Sequence, residues 1–86
     1  MKLNSDQFHI YFGLCIAKRR QELGISQAKA AEMIDVSLRH YSDVESGRAN
    51  LRIDTMYVAA RALSLSVDKI MADFEARLEC QLKESD

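Results

Sequence analysis

Proline is absent from this 86-residue chain, and glycine occurs only three times. So few helix breakers over this length favour an all-α fold with short joints. Cysteine is scarce as well: Cys15 and Cys80 stand far apart, with no CxxC and no histidine at ligand spacing. That pattern suggests neither a disulfide framework nor a metal site, and two reduced thiols of an intracellular protein are expected. Long apolar runs are missing too. The ten residues FHIYFGLCIA, Phe8–Ala17, are too short to span a bilayer. They also fail as a signal-peptide core, because Asp6 precedes them and the basic cluster Lys18–Arg20 follows. A cytoplasmic protein without membrane attachment is therefore expected. Paired carboxylates, an activated nucleophile and a glycine-rich phosphate loop are lacking, so neither enzyme chemistry nor a cofactor is indicated.

The chain length sets one domain, residues 1–86, with a thin core that a partner subunit would help to cover. Helical spacing relates Phe8, Phe12, Cys15, Ile16 and Leu23, with Tyr11 alongside. Asn4 or Ser5 can cap this first helix, and Gly24 is suited to end it in a left-handed turn. Ser26 caps a second helix to about Ile34, with Ala30 and Ala31 inward and Met33 or Ile34 closing the end. Asp35 and Val36 form a joint, Ser37 caps a third helix to about Ser46, and Gly47 stops it. Residues 48–52 have no apolar period and read as an ordered loop. A fourth helix over Ile53–Leu63 would turn Ile53, Met56, Ala59 or Ala60, and Leu63 inward. Ser66 caps a fifth helix, whose stripe of Val67, Ile70, Met71, Phe74, Leu78 and Leu82 outlasts the expected core.

The segments ELGISQ (22–27), DVS (35–37), VESG (44–47) and RALSLSVDKI (61–70) follow one another in register. In that order they resemble the helix-turn-helix family of lambdoid phage repressors and Xre-type bacterial regulators, over roughly Gly13 to Ile70. The loop GRANLRIDT, 47–55, is similar to that of small controller proteins of restriction–modification systems, and compact phage repressors fit nearly as well. The resemblance implies a five-helix, lambda-repressor-like bundle with an extended carboxy-terminal helix. Its helix-turn-helix would span about 26–46, and its third helix would enter the major groove of double-stranded DNA.

Site residues carried over by the resemblance are Gln27, at a position that touches the DNA backbone and steadies a recognition-helix side chain, and Leu38, Arg39, Ser42 and Asp43, which face base edges. His40 matches a residue near the phosphates, and Arg48 approaches the opposite phosphate run. Ser37, at the amino end of the third helix, belongs with them. Arg20 and Glu45 match an ion pair that ties the first helix to the third. The chemistry agrees, since arginine can donate twice to guanine and an aliphatic side chain can pack on a thymine methyl. Departures from the family pattern are Asp35 and Ser64 at common glycine positions, Leu51 at a common proline, Ala17 and Arg19 in the first helix, and Lys29, which breaks a capping box at Ser26.

A formal net charge of −1 sits poorly with DNA until it is divided along the chain. Residues 15–52 carry seven Lys and Arg against five Asp and Glu, whereas residues 53–86 carry four against seven. The basic excess thus lies on the half that holds the motif, as a one-sided binding surface requires. It is small enough that a dimer, which doubles the phosphate contacts, is expected. Met71, Phe74, Leu78 and Leu82 on a helix over about 66–83 are the candidate homodimer contacts, packing across a two-fold axis. The chain then reads as a homodimeric transcriptional regulator on a pseudo-palindromic operator. The alternative is an antitoxin or adaptor that uses the same bundle to hold a protein partner.

Overall fold

The computed structural model describes residues 5–84, with side chains from Gln7 to Cys80. Among these residues five helices follow one another: α1 Ser5–Leu23, α2 Gln27–Met33, α3 Leu38–Glu45, α4 Ile53–Ala62 and α5 Val67–Glu84. The fold is the all-α, lambda-repressor-like one that the sequence implied. Asn4, one of the two caps considered for α1, lies outside the described residues.

One closing device serves all four joints. Gly24, Asp35, Gly47 and Ser64 each adopt positive φ, at 70°, 59°, 78° and 58°. The amide of each bonds a carbonyl three residues back: Gln21, Glu32, Val44 and Arg61, at 3.1–3.2 Å. The next amide reaches one residue further into the helix, Ile25 to Arg20, Val36 to Ala31, Arg48 to Asp43 and Leu65 to Ala60. This is the left-handed closure that satisfies the last carbonyls of a helix. In three joints the residue after the turn is apolar, and Ile25, Val36 and Leu65 pack against the core. Three helix starts are equally regular, with Ser26, Ser37 and Ser66 accepting from the amides of Lys29, His40 and Lys69. Ser26 therefore caps α2 without the acidic partner that Lys29 displaces.

The core joins Phe12 and Ile16 of α1, Ala30, Ala31 and Ile34 around α2, and Tyr41 and Val44 of α3. Met56, Ala59, Leu63 and Ile70 extend it into α4 and α5, and Leu51 closes it from the loop. Both Ala59 and Ala60 are fully buried. Three expected core positions face water instead. Ile53 is 85% exposed and Val67 is 37% exposed. Each is the first residue of its helix, so no preceding turn lies beneath its side chain, which leans toward the helix start. Leu23, at the end of α1, is also exposed. Met33 points outward, leaving Ile34 to close α2. Arg19, found where the family has an apolar residue, donates through Nε to the Leu63 carbonyl at 2.8 Å. It thereby places a cation at the carboxy end of α4, where the helix dipole favours one.

Candidate nucleic-acid interface

The third helix is fixed at one end and open at the other. Tyr41 and Val44 anchor it in the core, and its last residue, Glu45, meets α1. Arg20 donates to Glu45 through Nε at 2.7 Å and through Nη2 at 3.2 Å, and its Nη1 bonds the Ile25 carbonyl at 2.9 Å. The Arg20 and Glu45 side chains are 14% and 8% exposed. Gln27 Nε2 completes the cluster on Glu45 Oε1 at 2.9 Å, so α1, α2 and α3 meet at one carboxylate. Burial works against the Glu45 charge, but the bonds from Arg20 and Gln27 outweigh it and hold the carboxyl below its usual range. The hydrogen bond to Glu45 raises the affinity of Arg20 for its proton. Tyr41 lies fully buried beneath the pair, and its hydroxyl has no partner at hydrogen-bonding geometry. Burial, with the carboxylate nearby, pushes its ionisation far above the ordinary phenol range.

The amino end of α3 is the open end. Ser37, Leu38 and Arg39 are exposed there, with Leu38 at 51%. His40, Ser42 and Asp43 are half-buried along the same helix. The fold therefore gathers the α3 residues singled out above on a short helix whose inner side is occupied by Tyr41 and Val44. Arg48 is exposed and reaches this neighbourhood through the backbone. The Asp43 carbonyl accepts from the amides of Arg48 at 2.8 Å and Ala49 at 3.2 Å, and from Ser46 Oγ at 3.1 Å. That carbonyl folds the loop back onto α3, a tie that spacing along the chain gave no means to foresee.

Residues considered for dimer contacts separate into two environments. Phe74 packs within the protomer, edge-on to Phe8 at 5.1 Å between ring centroids and tilted against Tyr11 at 5.6 Å. Leu78 is half-buried, and the side chain of Leu82 lies outside the described residues. Met71 is 44% exposed and borders an open apolar groove of about 600 Å³ between the starts of α1, α4 and α5. Phe8 and Phe12 line it from α1, and Ile53, Tyr57, Val67 and Met71 rise along its edges. Ile53 with Tyr57 and Val67 with Met71 are i, i+4 pairs, so each helix offers one apolar strip. Ile53 and Tyr57 were not among the contacts expected from sequence. Their spacing was visible, but not the open side onto which they would turn.

A polar-edged helix held by its far end, behind a tight turn from a second short helix, defines the helix-turn-helix class of DNA-binding regulator rather than an enzyme. The helix-turn-helix family model matches residues 16–70, and the chain belongs to that family, in its Xre-type branch. No curated protein sequence matches it. Several solved structures share the fold, two of them as follows. The clp gene regulator ClgR from Corynebacterium glutamicum superposes with a TM-score of 0.74 at 22% identity, over 92% of this chain and 84% of that one. The wild-type restriction–modification controller protein C.Esp1396I gives 0.69 at 20% identity, over 83% of this chain and 93% of that one. No described helix is long and apolar enough to cross a membrane. Among the described residues no group of three or more His, Cys, Asp or Glu is placed to hold a metal ion.

Proposed function

We propose that the protein is a cytoplasmic, sequence-specific regulator of transcription that binds a pseudo-palindromic site in double-stranded DNA as a homodimer. The observation that carries this reading is the asymmetry of α3, locked at Glu45 and exposed from Ser37 to Arg39. A recognition helix needs both, since base contacts require a rigid mount and an accessible amino end. Arg39 and Leu38 read base edges, with Ser42 and Asp43 next to them. Gln27, Ser37, His40 and Arg48 hold phosphates. The second copy docks along the groove edged by Ile53, Tyr57, Val67 and Met71 and sets two reading helices about 34 Å apart, one turn of DNA. The likeness in fold to a clp gene regulator and to a controller protein supports a role in gene control and leaves the genes open.

The same apolar groove is the feature that favours the second reading, an adaptor or antitoxin that covers it with another protein. Selection of bound sites from random duplexes, repeated with Arg39→Ala, separates the two. A regulator enriches a two-fold symmetric sequence. The variant is expected to relax it at one position per half-site, with a loss of ~1–3 kcal/mol at that base pair. A uniform loss over all sequences would reassign Arg39 to a phosphate. Enrichment of no sequence at all would overturn the regulator.

A further inference from the structure

Behind the recognition helix, α1 passes close to α3 with a glycine at the point of contact. A Cβ on Gly13 would overlap the Val44 carbonyl oxygen and stand 3.3 Å from its carbonyl carbon and 3.4 Å from the Glu45 oxygen. These are backbone atoms, so no side-chain rotation relieves the overlap. The Val44 carbonyl also accepts the Gly47 amide at 3.1 Å, which ties it to the turn that ends α3. Two further α1 residues meet the same end of α3. Ile10 lies against Gly47, where an added Cβ would come 3.0 Å from Ile10 Cγ1, and Arg20 holds Glu45. Positions 10, 13 and 20 share one face of α1 by helical spacing. Together they form a seam along which the carboxy end of α3 is seated.

We propose that Gly13 is a positioning residue for DNA reading: its missing side chain sets the depth at which the recognition helix sits. The proposal rests on the regulator reading above. Its reach comes from the different tolerances of two kinds of contact. Hydrogen bonds to base edges weaken steeply once distance or angle departs from the optimum. Attraction to phosphates falls off gently with distance and comes from mobile side chains. A recognition helix pushed outward or tilted by an added methyl loses the first and keeps the second. A variant that was merely less stable would lower binding to every duplex together.

The test compares Gly13→Ala with the parent in three measurements: the unfolding midpoint, the α3 amide shifts of the free protein by NMR, and the affinity ratio. That ratio is the affinity for the duplex the parent selects over that for an unrelated duplex at the same salt. Glycine to alanine inside a helix ordinarily stabilises, so the sign is informative. We expect the midpoint to fall and the amides of Leu38–Glu45 to shift. The ratio should drop roughly tenfold or more, the loss of one or two base-edge bonds, with binding to the unrelated duplex unchanged. A raised midpoint with unmoved α3 amides overturns the proposal, as does an unchanged ratio. Should Gly13→Ala fail to fold, Ile10→Ala decides. Ile10 is half-exposed, and its loss should lower the ratio several-fold, whereas an unaltered ratio sinks the seam. If the parent prefers no duplex, the DNA reading fails by itself, while the midpoint and the amide shifts still judge Gly13.

Discussion

Residues 26–48 and residues 53–78 differ in what they leave exposed. In the first region the exposed side chains are mostly polar or charged, and an ion pair with three supporting bonds fixes the helix that carries them. In the second, Ile53, Tyr57, Val58, Val67 and Met71 are exposed along two helices, and an open groove runs between them. Net charge does not separate them, since each region carries three Lys and Arg against four Asp and Glu. A polar surface on a rigid mount suits a partner recognised by hydrogen bonds. An apolar groove suits a partner recognised by area removed from water. On the proposed reading one small chain separates specificity from assembly, and each part should be breakable without the other.

The largest effect is expected from the assembly side. Met71→Glu places a charge on the groove edge at a residue already 44% exposed, so the folded protomer should survive nearly unchanged. Sedimentation equilibrium should show monomers, and affinity for a two-half-site duplex should fall by roughly 100-fold or more, the loss of linked binding. The unfolding midpoint measured at low protein concentration should move little. An unchanged dimer mass would move the two-fold contact away from this groove and toward Leu78, at the far end of α5.

On the mount, Glu45→Gln should cost about 2–3 kcal/mol at neutral pH, at or below the low end for breaking a buried pair, because Arg20 keeps some contact with water. The pH dependence fixes the sign. The folded state holds the Glu45 carboxyl below its usual range, so the pair's contribution is complete above about pH 4.3 and is lost as pH falls through the lower folded value. Parent and variant should therefore differ most near neutrality and converge in acid. Chemical unfolding over a pH series checks this. A gap that widens toward low pH would contradict the assignment of the stabilisation to an ionised Glu45.

How much of this was legible follows from what pattern along a chain can encode. The left-handed turn at Asp35 was visible because a resembling family has glycine there, and aspartate tolerates that conformation. The Arg20–Glu45 pair was visible for the same reason, since 25 residues separate its members and no local spacing joins them. The stripe of α5 was read correctly as apolar, yet its sides were not resolved. Phe74 turned to the aromatic rings of α1, while Val67 and Met71 turned to a groove. Periodicity finds an apolar strip but does not say whether the chain itself covers it. Leu51 is the reverse case. It is 5% exposed in a loop with no period, because one anchor in irregular backbone leaves no repeat to detect. Gly13 left only a glycine inside a helix, and the reason for it was a carbonyl 31 residues away.

The smallest expected effect uses the one backbone feature that both regions share. Asp35 closes α2 at φ 59° and Ser64 closes α4 at φ 58°, each in the conformation that costs an ordinary L-residue roughly 1–2 kcal/mol. Glycine removes that cost but returns freedom to the unfolded chain, which offsets about 0.5–1 kcal/mol. Ser64→Gly should then stabilise by about 0.5–1 kcal/mol, seen as a higher denaturant midpoint with an unchanged slope. Asp35→Gly should gain less, under about 0.5 kcal/mol, because aspartate visits the left-handed region more readily than serine. The order of the two gains is the sharper measurement. If Asp35→Gly proved the larger, the turn inside the helix-turn-helix would hold strain that its dihedral angle does not reveal, and the mount would be less relaxed than the corner between α4 and α5.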